Sequence, residues 1–403
     1  MTLATLKVRA MGRRGEGIAE LEGATVFVPF ALPGETVEAV VTEGRATLQN
    51  LLLPSPHRIA PFCKHHGQCG GCQFQHWADE HYRAWKLALI EEALKKEGLE
   101  HPALTFIDAH GSGRRRAVFH GRRKTGRVTA GFMKPRSHDV HDIDQCPALV
   151  PALAKAPEMA RAIAGVLGDC DVAVTAANNG IDVAIKATTG SARLQPLTAV
   201  AAKHSILRLT LNGEVVLKEG QPLVDAAGTA IPIPPGGFLQ ATATGEVALS
   251  EFVTSNTGKA SHIADLFCGV GPFALRLAKQ ARVSAFDSDK LALEALAAAA
   301  RNAQSLKPIS VQNRNLFKEP LTAAELKPFD AVVFDPPRAG AEAQSRQLAK
   351  SHLKAVIAIS CDPQTFARDA RILVDGGFRL VKLTAIDQFK WTAHVEIAAL
   401  FAR

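Results

Sequence analysis

Four stretches of the C-terminal half carry residue types that could do chemistry. Ser360-Cys361-Asp362-Pro363-Gln364-Thr365 sets a thiol at the end of an apolar run and the start of a helix. That is a place for a nucleophile whose pKa the helix N-terminus would lower, although a lone cysteine is by default a small packing residue. Thr392-Ala393-His394-Val395-Glu396 sets a carboxylate beside a final strand, either a proton acceptor or a surface acid. In Phe334-Asp335-Pro336-Pro337-Arg338 two prolines constrain the backbone and hold a carboxylate at a strand end. The fourth, DLFCGVGPF from Asp265, is a glycine-flexed turn where backbone can approach a ligand, and it lacks the full G-x-G-x-x-G fingerprint. Asp287 follows about 22 residues later, the distance at which an acid can take ribose hydroxyls, so loop and acid together indicate a nucleoside-bearing cofactor.

Seven cysteines, an odd number in a chain expected to be cytosolic, argue against structural disulfides. Three crowd into CKHHGQCGGCQFQH, where Cys63, Cys69 and Cys72 have the spacing C-x5-C-x2-C among glycines.

These groups need elements to hold them. From residue 1 to about 56, short strand-like runs near Leu6–Ala10, Thr25–Pro29, Thr36–Thr42 and Ala46–Leu53 alternate with turn signals and predict a small barrel that ends at Pro54-Ser55-Pro56. Asp79 to Lys96 is a predicted helix with Trp85, Leu89 and Ala93 on one face and Asp79 available as cap. Strands predominate from Arg114 to about Pro235, with one helix around Pro151–Leu167, and IPIPPGG at 231–237 reads as a hinge. The last third alternates apolar strands, at His262–Phe267, Arg282–Phe286, Ala331–Phe334 and Ala355–Ser360, with amphipathic helices. That pattern predicts a doubly wound α/β sheet, which binds ligands at the carboxyl ends of its strands. Three of the four chemical stretches, and Asp287, lie at such ends, and the fourth lies beside the final strand.

At 403 residues the chain allows two or three domains, and with 47% hydrophobic and 21% charged residues it is neither disordered nor membrane-embedded. No run approaches the ~18 apolar residues of a spanning helix and the N-terminus lacks a signal-peptide core, so no membrane partner and a cytoplasmic location are expected. Its net charge of +8 is partly concentrated in RRRAVFHGRRK, Arg114 to Lys124, followed by Arg127, Lys134 and Arg136 before Asp139 supplies an acid. Such a cluster suits a phosphate backbone, or merely a solvated sheet face.

The set DLFCGVG, DPPRAG, SCDPQT and TAHVE, in this order, resembles the RNA uracil-C5 methyltransferase family over nearly the whole chain. The resemblance implies a three-part molecule: a TRAM-like RNA-binding barrel at 1–56, a mixed α+β central domain with an iron–sulfur cluster at 57–235, and a class I, Rossmann-like S-adenosylmethionine-dependent catalytic domain at 236–403. It places the nucleophile on Cys361 and the proton-abstracting base on Glu396. Cofactor and substrate contacts fall on Gln240, Phe267, Asp287, Asn315 and Asp335. Cluster ligands fall on Cys63, Cys69, Cys72 and Cys146, a donor set that suits [4Fe–4S] or zinc, while Cys170 and Cys268 are left as packing residues. Barrel and cysteine loop together point to the 23S ribosomal RNA branch, acting as a monomer, rather than to the transfer RNA enzyme. The chain departs from the family pattern at Asp362 and Ala358 around the nucleophile, at Thr242 and Pro272 where Asn is usual, and at Lys390-Trp391 before the base. Two other readings are a cytosine-C5 RNA methyltransferase and a non-catalytic iron–sulfur protein of RNA binding or ribosome assembly.

Overall fold

The computed structural model describes residues 2–188 and 194–403. Its largest layer is an eight-stranded sheet in the order Ile309–Asn313, Arg282–Asp287, His262–Leu266, Ala331–Phe334, Ala355–Ser360, Glu396–Ala402, Arg379–Asp387, Leu104–Asp108. Every pairing is parallel except those of Glu396–Ala402, which runs antiparallel to both neighbours. Successive side chains point to opposite faces, so Ile263 and Val283 enter one core while Ala264, Leu266 and Val356 enter the other. Burial on both faces explains why these strands are continuous apolar runs.

The edge strand Leu104–Asp108 and the helix Asp79–Lys96 lie in the stretch expected to form the central domain. In the structure the strand pairs with Arg379–Asp387, and Ile90, Ala93 and Leu94 of the helix share a core with Phe378 and Leu383. Without them the strand Arg379–Asp387 would present a bare row of backbone donors and acceptors. The helix begins at Asp79 as expected, but Ala78 is its cap and the Asp79 carboxylate instead pairs with Arg83 at 2.5 Å.

The central unit is a seven-stranded sheet with the helix Ala156–Leu167 across it, burying Met159, Ile163 and Leu167 against Phe119, Val172 and Val174. A hairpin, Leu223–Ala226 and Thr229–Pro232, leads out of it. The predicted hinge at 231–237 is pinned instead. Ile231 and Ile233 are buried in the catalytic core, and Arg208, in a buried pair with Asp182 at 2.7 Å, donates to the Ile233 carbonyl at 2.8 Å.

The N-terminal unit has six strands rather than four around Leu6, Val8, Val26, Val28 and Val37. Glu16–Leu21 and Ala10–Met11 escape the pattern because glycine and charge interrupt their alternation. Buried Glu35 ties the exit segment to this unit, accepting from Arg58 Nε and Nη2 at 2.6 and 2.8 Å.

The basic run is not one uniform outer surface. Arg115 is buried and pairs with Glu246 at 2.6 Å, Arg116 donates to the Leu239 carbonyl at 3.1 Å, and Arg136 pairs with Glu16. Arg123, Lys124, Arg127 and Lys134 remain exposed. Where the strand Arg116–Lys124 starts, packing against the segment 239–246 draws the first cations inward, and at its far end they meet solvent, a division that net charge cannot reveal.

Candidate active site

Strand register brings the two expected catalytic residues together. Ser360 pairs with Ile397, so Cys361 leaves its strand directly beside Glu396 at the start of the antiparallel neighbour. Both line one cavity of about 490 Å³ at the carboxyl ends of the parallel strands, together with Gln240, Phe267, Asp287 and Asp335. Six of the seven residues expected at the catalytic pocket therefore meet there. Asn315 does not: it is exposed, and its side-chain oxygen accepts from the Phe317 and Lys318 backbone N–H groups at 3.1 and 3.2 Å. That turn sets Phe317 against Phe267, ring centroids 5.3 Å apart, on the cavity wall.

The glycine loop opens the other end. Gly271, at φ +79°, leaves the room that the Leu296 side chain fills, since a Cβ there would lie 2.3 Å from Leu296 Cδ1. Asp287 accepts from Gly269 N–H at 2.8 Å and from Asp289 N–H at 2.9 Å, so this carboxylate is fixed to the glycine loop. Cys268 is buried behind that loop and Cys170 in the central core, as packing residues.

Electrostatics set the resting protonation of the site. Burial, then Asp335, pushes the Glu396 carboxyl up to about 8, and burial pushes Asp335 up to about 7. The Cys361 thiol is pushed up to about 12 by burial and by Glu396, Asp335 and Asp362. Burial and these acids oppose the activation that a helix N-terminus would give the thiol. Asp362 caps the helix itself, accepting from Gln364 and Thr365 N–H at 2.9 and 3.3 Å, and turns a positive end into one more acid beside the sulfur. Asp362 also holds Arg338 at 3.1 Å.

Several contributors were not legible in the sequence. Buried Gln388 donates to Gln240 at 2.6 Å and to Glu396 at 3.1 Å, and Gln240 donates to Asp335 at 3.2 Å. Lys86, fully buried, reaches Asp387 at 2.5 Å and the His394 carbonyl at 2.6 Å, and Tyr82 donates to Asp387 at 2.8 Å. These contacts fix both ends of the segment that delivers Glu396. The only hint in the sequence is a polar pair, Asp387-Gln388, closing an apolar strand.

Four of the seven cysteines gather at a second cavity. Cys63, Cys69, Cys72 and Cys146 line one cavity of about 190 Å³ with Arg114 and Arg116. Burial and the neighbouring thiols push Cys69 up to about 11, and burial pushes Cys146 up to about 12. Among the described residues no three His, Cys, Asp or Glu side chains are arranged to hold a single metal ion. The loop touches the catalytic segment: Gln73 and Phe74 N–H donate to the Trp391 carbonyl at 2.6 and 3.1 Å, and Gln73 accepts from Ala393 N–H at 3.0 Å.

A parallel sheet with one antiparallel strand inserted, and with a glycine loop and an acid at its carboxyl edge, is the scaffold of S-adenosylmethionine-dependent methyltransferases. Residues 233–403 match the model of the tRNA (uracil-5-)-methyltransferase family. An uncharacterised RNA methyltransferase of Brucella suis is 43% identical over 99% of this chain and 97% of its own. The 23S rRNA (uracil(1939)-C(5))-methyltransferase RlmD of Aeromonas hydrophila is 32% identical over 96% of this chain and 93% of its own. The chain belongs to the RNA uracil-5-methyltransferase family and is an S-adenosylmethionine-dependent enzyme. The crystal structure of Pyrococcus abyssi tRNA (uracil-54, C5)-methyltransferase with S-adenosyl-L-homocysteine shares the fold, with a TM-score of 0.75 and 21% identity over 99% of both chains. A transfer RNA enzyme thus has the same architecture from end to end, and the three-part organisation does not by itself select ribosomal RNA. Among the described residues no helix is long and apolar enough to cross a membrane.

Proposed function

We propose that the protein methylates carbon 5 of one uridine in RNA, with 23S ribosomal RNA as substrate, through a covalent bond from Cys361 to the base. The observation that carries this reading is the register that sets the Cys361 thiol beside the Glu396 carboxyl in one cavity. Carbon 5 of uracil is too weak a nucleophile unaided. Addition of the Cys361 sulfur at carbon 6, with the thiol proton passing to a neighbouring carboxylate, makes an enolate whose carbon 5 can attack a methyl group. S-adenosylmethionine supplies that methyl as a sulfonium. Glu396, its proton released to solvent, then takes the carbon 5 proton, and the carbon 6–sulfur bond breaks with its electron pair on sulfur to release 5-methyluridine and the Cys361 thiolate, which is reprotonated for the next turnover. Phe267, Asp287 and the 269–271 loop hold the cofactor end of the cavity, and Gln240 and Asp335 face the base. Because carbon 5 is enclosed in folded RNA, the target nucleotide is flipped into the cavity. The ribosomal assignment rests on the 32% identical relative, and the exposed cations Arg123, Lys124, Arg127 and Lys134 suit a phosphate backbone. Mapping 5-methyluridine in ribosomal and transfer RNA with and without the gene tests the target. Loss confined to transfer RNA would reject the ribosomal substrate.

Glu396→Gln is expected to slow turnover by roughly 10²- to 10⁴-fold and to accumulate a covalent protein–RNA adduct, since addition and transfer precede the step it blocks. Denaturing electrophoresis of the reaction shows the adduct, and a variant turning over normally without one removes Glu396 from this role. A base raised to about 8 must lose its proton to act, so kcat/KM is expected to climb from pH 6 through about 8. A flat profile over that range contradicts the assignment.

The four cysteines are proposed to hold a [4Fe–4S] cluster. They line one cavity, and four thiolates with the loop spacing C-x5-C-x2-C suit such a cluster. Arg114 and Arg116 on the wall offset the negative charge of four thiolates. Methyl transfer needs no electron, and the hydrogen bonds from Gln73 and Phe74 to Trp391 suit a structural role. Anaerobically purified protein is expected to absorb broadly at roughly 400 nm, as thiolate-bound cubane clusters do. A colourless protein with one zinc per chain would replace the cluster by zinc.

A further inference from the structure

We propose that Gln388 is a positioning residue whose buried carboxamide fixes which end of Gln240 faces the pyrimidine and steadies the carboxylate of Glu396. The inference rests on the uracil methyltransferase reading above. Gln388 is fully buried at the end of the strand Arg379–Asp387, and its side-chain oxygen accepts from the Thr242 backbone N–H at 3.4 Å. A backbone N–H only donates, so the amide nitrogen of Gln388 must point the other way. There it donates to Gln240 Oε1 at 2.6 Å and to Glu396 Oε1 at 3.1 Å. With its oxygen taken, Gln240 turns its own Nε2 to Asp335 Oδ2 at 3.2 Å and into the cavity. Reversing Gln388 would set its oxygen against two oxygens and its nitrogen against an N–H. One backbone donor thereby sets the polarity of three side chains.

The consequence is chemical. Gln240 offers the base an N–H, which suits a pyrimidine carbonyl and opposes the amino group of cytosine. The surroundings keep room for this amide: a Cβ on Gly245 would lie 2.7 Å from Gln388 Cβ and 2.8 Å from its Oε1. Thr242, where the family pattern carries Asn, has no amide of its own, and its hydroxyl is committed to the Ala109 carbonyl at 2.6 Å. Besides Gln388, Glu396 is faced by Asp335, by Cys361 and by the Lys86 ammonium. Gln388 contributes a direct hydrogen bond that favours its ionised form.

Gln388→Met keeps length and burial and removes every hydrogen bond. In the full-length enzyme with S-adenosylmethionine and substrate RNA, kcat is expected to fall roughly tenfold. The rising limb of its pH profile is expected to move to higher pH, because Glu396 loses a donor. Adduct formation on 5-fluorouridine RNA relative to 5-fluorocytidine RNA is expected to narrow, because Gln240 is free to turn. Gln388→Leu serves the same comparison should the methionine variant unfold. A slower or less stable variant with unchanged pH profile and unchanged adduct ratio would make Gln388 a packing residue and overturn the inference. Wild-type enzyme forming neither adduct nor 5-methyluridine would overturn the functional reading and this inference with it, a result visible without any variant.

Discussion

Replacing Cys361 by alanine is expected to lower methyl transfer to RNA by at least about 10⁴-fold. Among the described residues lining the cavity, no other group can take over the addition to carbon 6. The second thiol there, Cys268, is buried behind the glycine loop at the cofactor end. The remaining polar and aromatic side chains, which include carboxylates, the Gln240 amide and Arg338, lack sulfur's nucleophilicity. The loss is expected in kcat, with cofactor binding retained, because Phe267, Asp287 and the glycine loop lie at the other end. Transfer of labelled methyl groups to uridine measures the first, and the rise in melting temperature on adding S-adenosylmethionine measures the second. The variant should also form no adduct with 5-fluorouridine RNA. Residual transfer within tenfold of wild type would refute covalent catalysis by this cysteine.

Lys86→Met is expected to destabilise the protein by about 3–5 kcal/mol, the cost of leaving a buried charge without its partner. Lys86 and Asp387 are both essentially inaccessible to solvent, and burial lowers the lysine to about 8 even beside the aspartate. Without the ammonium, Asp387 keeps only the Tyr82 hydroxyl among its side-chain donors, and the Phe389 and His394 carbonyls lose a common donor. The segment between those carbonyls carries Trp391, which the cysteine loop grips, and it ends at Glu396. Denaturant unfolding measures the stability loss, and kcat is expected to fall with it as the base loses its fixed position. The double variant Lys86→Met, Asp387→Asn removes both charges and is expected to recover part of the stability. A single variant within ~1 kcal/mol of wild type would show that the pair contributes little to the fold.

The C-terminal sheet was legible because strands buried on both faces leave unbroken apolar runs, and because Asp287, Asp335 and Cys361 stand at the ends of such runs. The edge strand Leu104–Asp108 was not, since its membership depends on a partner nearly three hundred residues away. The basic run misled for a related reason. Arg115 and Arg123 look alike in sequence, yet one is buried against Glu246 and the other is exposed. The segment 231–237 has a hinge's composition and a core segment's surroundings.

Sequence by itself determined the class of chemistry. A thiol, a terminal carboxylate, a glycine turn with a spaced acid and a loop of three cysteines are local features, set by residue type and short spacing. Tertiary structure decided how those groups behave. Burial and the nearby carboxylates of Glu396, Asp335 and Asp362 raise the thiol, Asn315 lies in a turn outside the cavity lining, and Gln388 and Lys86 enter the site from segments without a motif. Acidity and hydrogen-bond polarity follow from distance and burial, and both are set by which strands become neighbours.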